Sequence, residues 1–98
     1  MSRGHLARVT WSAAQVRRGL PAFERTTDPA WFEADPPGAD GWSLRCRFEP
    51  PPDAQGSPSV ARVAFMMPHA PHERLAPGAR LRLFERGSGG RALVEILD

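Results

Sequence analysis

Two histidines near the middle of the chain are the first candidates for chemistry. His69 and His72 lie three residues apart and are followed by Glu73, and imidazole and carboxylate groups are common zinc ligands. Two side chains at this spacing share a face only on a helix, and Pro68 and Pro71 disfavour a helix here. The segment therefore favours a loop over a metal site, and we predict neither a metal nor another cofactor.

Cys46 is the single cysteine and the one residue that could act as a thiol nucleophile beside a histidine. It belongs to an alternating series with Trp42, Leu44 and Phe48, which places its thiol in the core as a small, inert hydrophobic group. The chain has no G-x-S-x-G motif, and no two carboxylates have a spacing that indicates acid–base catalysis. We predict that the protein is not an enzyme. An enzymatic function ranks third, behind the two binding hypotheses given below.

A glycine-rich segment could in principle hold a phosphate with its backbone N–H groups. The segment from Gly87 to Arg91 reads GSGGR, lacks the G-x-x-x-x-G-K-[ST] pattern and does not open a helix. It is predicted to be the turn of a β-hairpin.

The protein is expected neither to bind nor to hydrolyse GTP. The chain contains no lysine, so the ammonium group that contacts the phosphates in phosphate-loop proteins is missing, and no acidic metal site accompanies the glycine-rich segment. Isothermal titration calorimetry with GTP should show no binding at micromolar affinity. Saturable heat at that affinity would contradict the prediction.

Arginines at alternating positions are the strongest candidates for binding. Under the period-two pattern, six of them face outward: Arg8, Arg45, Arg47, Arg62, Arg80 and Arg82. Residues two apart on one strand point the same way, about 6.5–7 Å apart, which is close to the spacing of successive phosphates on a single nucleic-acid strand. We predict that Arg45 and Arg47, joined by Arg80 and Arg82 if their strands lie close, contact RNA or an acidic protein surface.

The alternative for these arginines is a solvated surface, since glutamates are interspersed with them at positions 49, 85 and 95. If the arginines do bind a polyanion, the sequence places no surface aromatics among them. Binding should then be weak, tolerant of base sequence and strongly dependent on salt.

Length and composition indicate one small domain that spans residues 1–98. A domain of about this size buries roughly 60–65% of its unfolded surface, enough for one core. All thirteen Lys and Arg positions are arginine, and eleven Asp and Glu keep the formal net charge at +2. The protein as a whole therefore lacks the strongly positive electrostatic potential of a dedicated nucleic-acid binder. The N-terminal segment lacks the apolar stretch of a signal peptide. We expect a cytoplasmic protein that makes no membrane contact.

Short alternating segments with Pro and Gly between them predict five or six strands in a closed or nearly closed antiparallel barrel. The segments are Leu6–Trp11, 30–32, 42–49, Ser59–Met67, 80–84 and 92–97, of which 30–32 is either a short strand or a plug over one end of the barrel. Met67 is predicted to face inward, and Phe84 breaks its pattern in a way that suggests a bulge. The segments 24–28 and 50–58 are predicted to be loops. Ser12 and Gln15 form a weak capping box, so the chain is expected to have at most one short helix.

The C-terminal half resembles the end of the third domain of elongation factor Tu and small stand-alone proteins like that domain. The matching elements are an apolar strand, an apolar-Pro loop, a Pro-Gly turn, alternating apolar residues, an Arg-Glu-Gly type of turn and a closing strand. In this sequence they are 65–67, 70–71, 77–78, Leu81 with Leu83, 85–87 and 94–97. The glycine pattern after the last turn is altered, to Gly89-Gly90-Arg91.

The N-terminal half is similar to the same family at three places, which are 7–11, Arg18 with Pro21, and 28–32. Thr27 stands where the family has Tyr. The resemblance implies a six-stranded antiparallel β-barrel without the nucleotide-binding domain of the elongation factor. It also implies a binding module for RNA or protein.

Two functional hypotheses from different classes therefore lead. The first is a non-enzymatic barrel module that binds RNA or an acidic protein surface through its arginines. The second is a protein-interaction or immunity-type factor that acts through its loops, Glu33 to Asp40 and Pro68 to Pro77, with no nucleic-acid role. The sequence leaves the oligomeric state open.

Overall fold

Alternating apolar residues build six strands that close into one antiparallel barrel. The computed structural model describes residues 4–84 and 91–98. Its strands are β1 (His5–Trp11), β2 (Arg25–Phe32), β3 (Trp42–Phe48), β4 (Ser59–Phe65), β5 (Arg80–Leu83) and β6 (Ala92–Ile96). Their order around the barrel is β1-β4-β3-β2-β5-β6, and β6 pairs with β1 to close it. The predicted all-β fold, a six-stranded antiparallel barrel, is confirmed.

Inward-facing side chains from every strand fill the barrel. The residues around which a shared core was predicted, Val9, Leu44, Val63 and Leu83, are all buried in it. Trp42 is half-buried and packs against the same core, and its indole meets the edge of the His69 ring at 5.5 Å between ring centroids. The period-two pattern therefore assigned the two faces of these strands correctly.

β2 begins earlier than the sequence predicted, because residues 25–28 of the predicted loop 24–28 belong to the strand. The Phe48 N–H donates to the Glu24 carbonyl oxygen at 2.6 Å, and Thr26 lies opposite Cys46 in the β2–β3 ladder. Thr26 and Asp28 occupy the inward side of β2. An inward aspartate is tolerated because Arg91 donates a hydrogen bond to its carboxylate at 2.8 Å.

The predicted short helix after β1 is present as α1 (Ala13–Arg18). The Ser12 hydroxyl accepts a hydrogen bond from the Gln15 N–H at 3.1 Å, and Gly19 ends the helix at a φ of 103°, a value that favours glycine. The capping box is only half formed, since the Gln15 side chain donates to the Gly19 carbonyl instead of accepting from Ser12. Neither this helix nor any other in the described ranges is long and apolar enough to cross a membrane.

A second short helix, α2 (Pro52–Gln55), replaces part of the predicted loop 50–58, so the expectation of at most one short helix was wrong. Pro52 occupies the first turn, where the missing N–H of proline has no helical partner to lose. The Gln55 side chain then fixes the helix to β4: its amide accepts from the Val60 N–H at 2.7 Å and donates to the Val60 carbonyl at 3.0 Å. One turn of 3₁₀-helix, His72–Arg74, follows β4.

Met67 and Phe84 lie just beyond the ends of β4 and β5. Met67 was predicted to face inward, but β4 ends at Phe65 and Met67 is 42% exposed, because the chain turns away from the barrel before Pro68. The pattern break at Phe84 reflects an aromatic contact on the outside, since its ring meets the edge of the Trp31 indole at 5.0 Å. The predicted turns at 85–87 and 87–91 fall almost wholly outside the described residues.

Candidate functional site

Three arginines stand directly opposite one another on three neighbouring strands. Arg25 of β2 pairs with Arg47 of β3, and Arg47 pairs on its other side with Arg62 of β4. Arg45 lies two residues before Arg47 and faces the same way, outward. We call these four residues, Arg25, Arg45, Arg47 and Arg62, the basic face. Like charges directly opposite each other in a sheet are destabilising, so the alignment costs the folded chain some stability.

Acidic residues neutralise the basic face only in part. Arg47 contacts Glu49 at 3.1 Å and Arg62 contacts Asp98 at 3.5 Å, and such exposed pairs hold their partners weakly. Within the part of the chain that the structure describes, no ion pair joins Arg25 or Arg45 to an acidic residue. Among the described residues, the face therefore has two guanidinium groups without an acidic partner. The other two have weak ion pairs that an anionic ligand could replace.

Arg80 and Arg82 do not extend this surface. They lie on β5, which β2 separates from β3. Arg45 lies opposite Thr27 and Arg82 opposite Trp31, so the two register positions are four residue steps apart along β2, about 13 Å. Arg80 and Arg82 were expected to join Arg45 and Arg47 only if their strands lie close together, and β3 and β5 are not neighbours.

The charges on β5 also have nearby partners. Arg80 and Arg82 contact the two carboxylate oxygens of Glu33 at 3.8 and 3.4 Å. In the β5–β6 ladder, Arg80 lies directly opposite Glu95. This part of the barrel is a mixed-charge surface, as the solvated alternative predicted.

Sequence reasoning missed Arg25 as a member of the site because it placed this residue in a loop. The signal was present, since Thr26, Asp28, Ala30 and Phe32 all face inward while Arg25 alternates with them. The polarity of Thr26 and Asp28 hid the period. Arg62 was correctly predicted to face outward. The residues of β3 and β4 alone do not show that these two strands are neighbours, so the pairing of Arg62 with Arg47 could not be predicted.

A groove lies where the two loops that the second hypothesis favours meet the end of β2 and the start of β5. Arg74, from one loop, donates two hydrogen bonds to the carboxylate of Asp35, from the other, at 2.7 and 3.0 Å. These hydrogen bonds lower the pKa of the Asp35 carboxyl, and the Arg74 guanidinium also lies 3.8 Å above the centre of the Phe32 ring. The groove has a volume of about 370 Å³ and is lined by Phe32, Glu33, Ala34, Arg74, Gly78, Ala79 and Arg80.

Comparison of the chain with known protein families, with curated proteins and with solved structures finds no match. The resemblance to the third domain of elongation factor Tu remains an expectation from sequence pattern.

A partly buried ion pair lies at the inner side of β2. Arg91 and Asp28 are joined at 2.8 Å and are 19% and 13% exposed in their side chains, and the Arg91 guanidinium lies 5.5 Å from the Trp11 ring. Three polar atoms here, Thr26 Oγ1, Asp28 Oδ2 and Arg91 Nε, are buried without a hydrogen-bond partner in the described ranges. Solvent does not reach these three atoms, so they do not form a ligand site. The ion pair instead links β2 to the residue that precedes β6.

Cys46 lies beside this cluster and is completely buried, as predicted. Burial, reinforced by the negative charge of Asp28, raises the pKa of its thiol from 9.0 to about 12, although Thr26 and Arg91 act in the opposite direction. The thiol is therefore protonated and cannot serve as a nucleophile near neutral pH.

We expect iodoacetamide to leave Cys46 unmodified in the folded protein at about pH 8, where a pKa of about 12 instead of 9.0 leaves about a thousandth as much thiolate. Labelling should appear only as urea unfolds the chain, in step with the loss of the circular dichroism signal. Since the folded state holds the thiol proton more tightly, the free energy of unfolding should fall as pH rises from 9 towards 12. Rapid labelling without urea would contradict the assignment.

The two histidines are held by neighbouring groups of the chain. Nε2 of His72 lies 2.8 Å from the Met67 carbonyl oxygen, and its ring meets the edge of Phe65 at 5.9 Å, while His69 contacts Trp42. No group of three or more His, Cys, Asp or Glu side chains in the described ranges is arranged to hold a metal ion.

Proposed function

We propose that the protein is a non-enzymatic β-barrel module that binds RNA through its basic face. The observation that carries the proposal is the alignment of Arg25, Arg47 and Arg62 across three strands, with Arg45 beside them. An alignment that costs stability in the free protein is useful when an anionic partner neutralises it. Guanidinium groups also suit phosphates, since their planar fork can donate two hydrogen bonds to one phosphate group.

The two-dimensional spacing of the arginines favours a polyanion over an isolated anion. Along β3 the side chains of Arg45 and Arg47 lie about 6.5–7 Å apart, and across the sheet neighbouring strands are about 4.8 Å apart. A nucleic-acid backbone presents regularly spaced phosphates that can meet several of these groups at once. An acidic protein surface is the alternative partner for the same face.

A salt titration tests the proposal directly. Fluorescence anisotropy should show binding of a fluorescein-labelled single-stranded RNA, with log K falling linearly with log salt at a slope of about −3 if all four arginines meet phosphates. A slope near zero, or no binding at low salt, would contradict it. Affinity purification from the native host with and without nuclease separates RNA from an acidic protein, because only an RNA-dependent complex is lost after nuclease treatment.

The ion pair between the loops favours a second candidate function, a protein-interaction or immunity-type factor. The Arg74–Asp35 contact joins the segments 33–40 and 68–77 into one surface with a groove. If this surface carries the function, a co-purifying protein should survive nuclease treatment. That protein should be lost from an Arg74→Ala variant and retained by a variant that lacks Arg45 and Arg47.

The resemblance to the third domain of elongation factor Tu supports a translation-factor-like role in the cytoplasm, where RNA partners are abundant. In this role the module would act without nucleotide, since it corresponds to the barrel of the family and not to its GTP-binding domain.

A further inference from the structure

The most exposed large apolar side chain in the described ranges lies next to the basic face. Phe23 is 71% exposed and precedes Arg25 by two residues. The sequence led us to expect no surface aromatic among the arginines. β2 starts at Arg25, so Phe23 lies just before this strand, at the edge of the basic face.

The backbone on both sides of Phe23 is anchored. The carbonyl oxygen of the buried Pro21 accepts a hydrogen bond from the Asp53 N–H at 3.0 Å, and the Glu24 carbonyl accepts from the Phe48 N–H at 2.6 Å. Phe23 is therefore held beside the end of β3, where Arg47 and Glu49 lie, while its ring extends into solvent. A ring on a fixed backbone loses little conformational freedom when it binds a partner.

We propose that Phe23 stacks on an unpaired base of a single-stranded RNA whose phosphates lie on the basic face. This inference rests on the proposed function and adds the substrate class, which is unpaired RNA rather than duplex. Aromatic side chains and arginines together are the usual means of holding single strands, because every base has a flat face that can stack. In a duplex the base faces already stack on one another and are closed to a side chain, while the phosphates stay accessible.

Three labelled probes separate stacking from charge in anisotropy titrations at low salt: oligoadenylate, an abasic oligomer of the same length and an oligoadenylate–oligouridylate duplex. Phe23→Ala should weaken binding of oligoadenylate about 5- to 100-fold and leave binding of the abasic oligomer and the duplex unchanged. Phe23→Trp, which keeps an aromatic ring, should restore the affinity for oligoadenylate. Val60→Ala is the matched control, since Val60 is also exposed, at 47%, and lies two residues from Arg62 without a ring.

The outcomes distinguish this inference from the proposed function. If Phe23→Ala binds oligoadenylate as tightly as the wild type while salt dependence persists, the stacking role is wrong and the basic face stands as a phosphate site. If the wild type binds none of the three probes, or if polyglutamate displaces oligoadenylate as well as unlabelled RNA does, both are overturned. Thermal melting should show that each variant is folded, because the exposed ring of Phe23 adds little to the core.

Discussion

Replacement of Phe65 by alanine is expected to lower the free energy of unfolding by about 3–5 kcal/mol. Phe65 is the last residue of β4 and only 6% exposed, and its ring makes T-shaped contacts with the rings of Phe32 and His72 at 5.9 Å between ring centroids in each case. Truncation would leave a cavity where the barrel meets the 3₁₀ turn. A loss of this size is a large part of the total stability of a small domain.

Urea unfolding followed by circular dichroism measures this effect. Val60→Ala is the control, because it shortens a side chain of the same strand that faces outward and should change stability by less than about 0.5 kcal/mol. If the two substitutions cost the same, the assignment of inward and outward faces of β4 is wrong.

The strands with apolar inward faces could be predicted because their own residues carry the full signal. In β3, Leu44, Cys46 and Phe48 alternate with exposed polar residues, and no distant residue is needed to interpret them. β2 could not be predicted in this way, since Thr26 and Asp28 are polar and face inward. The inward position of Asp28 is explained by its contact with Arg91, which lies 63 residues further along the chain.

The candidate site shows the same division between local and distant information. The common direction of Arg45 and Arg47 follows from their spacing alone. The identity of their neighbours depends on the order of strands around the barrel, and this is decided by the closing of the whole sheet. That order places Arg25 and Arg62 beside β3 and moves Arg80 and Arg82 beyond β2. The contacts that fix α2 are by contrast local, since Gln55 binds Val60 only five residues further along the chain, and this helix was missed because the proline run 50–52 was taken as the start of a loop.

The double change Arg45→Ala with Arg47→Ala should reduce the affinity for single-stranded RNA about 25-fold at about 0.1 M salt, if each arginine meets one phosphate and other contacts are unchanged. The slope of log K against log salt should become shallower by about 1.4, since each phosphate contact on a single strand contributes about 0.7. Stability should change little, because both side chains are exposed and the inward series of β3 is intact. Removal of one partner from the Arg25–Arg47–Arg62 alignment should, if anything, relieve repulsion.

The double change Arg80→Ala with Arg82→Ala is the matched control. It removes the same formal charge from the other side of β2, where both arginines contact Glu33, so it should leave the affinity and the salt slope nearly unchanged. If both double variants weaken binding equally, RNA is attracted by the net charge of the barrel and the basic face is not a defined site. If neither weakens it, the arginines are solvated surface, and the surface joined by Arg74 and Asp35 becomes the better candidate for the partner.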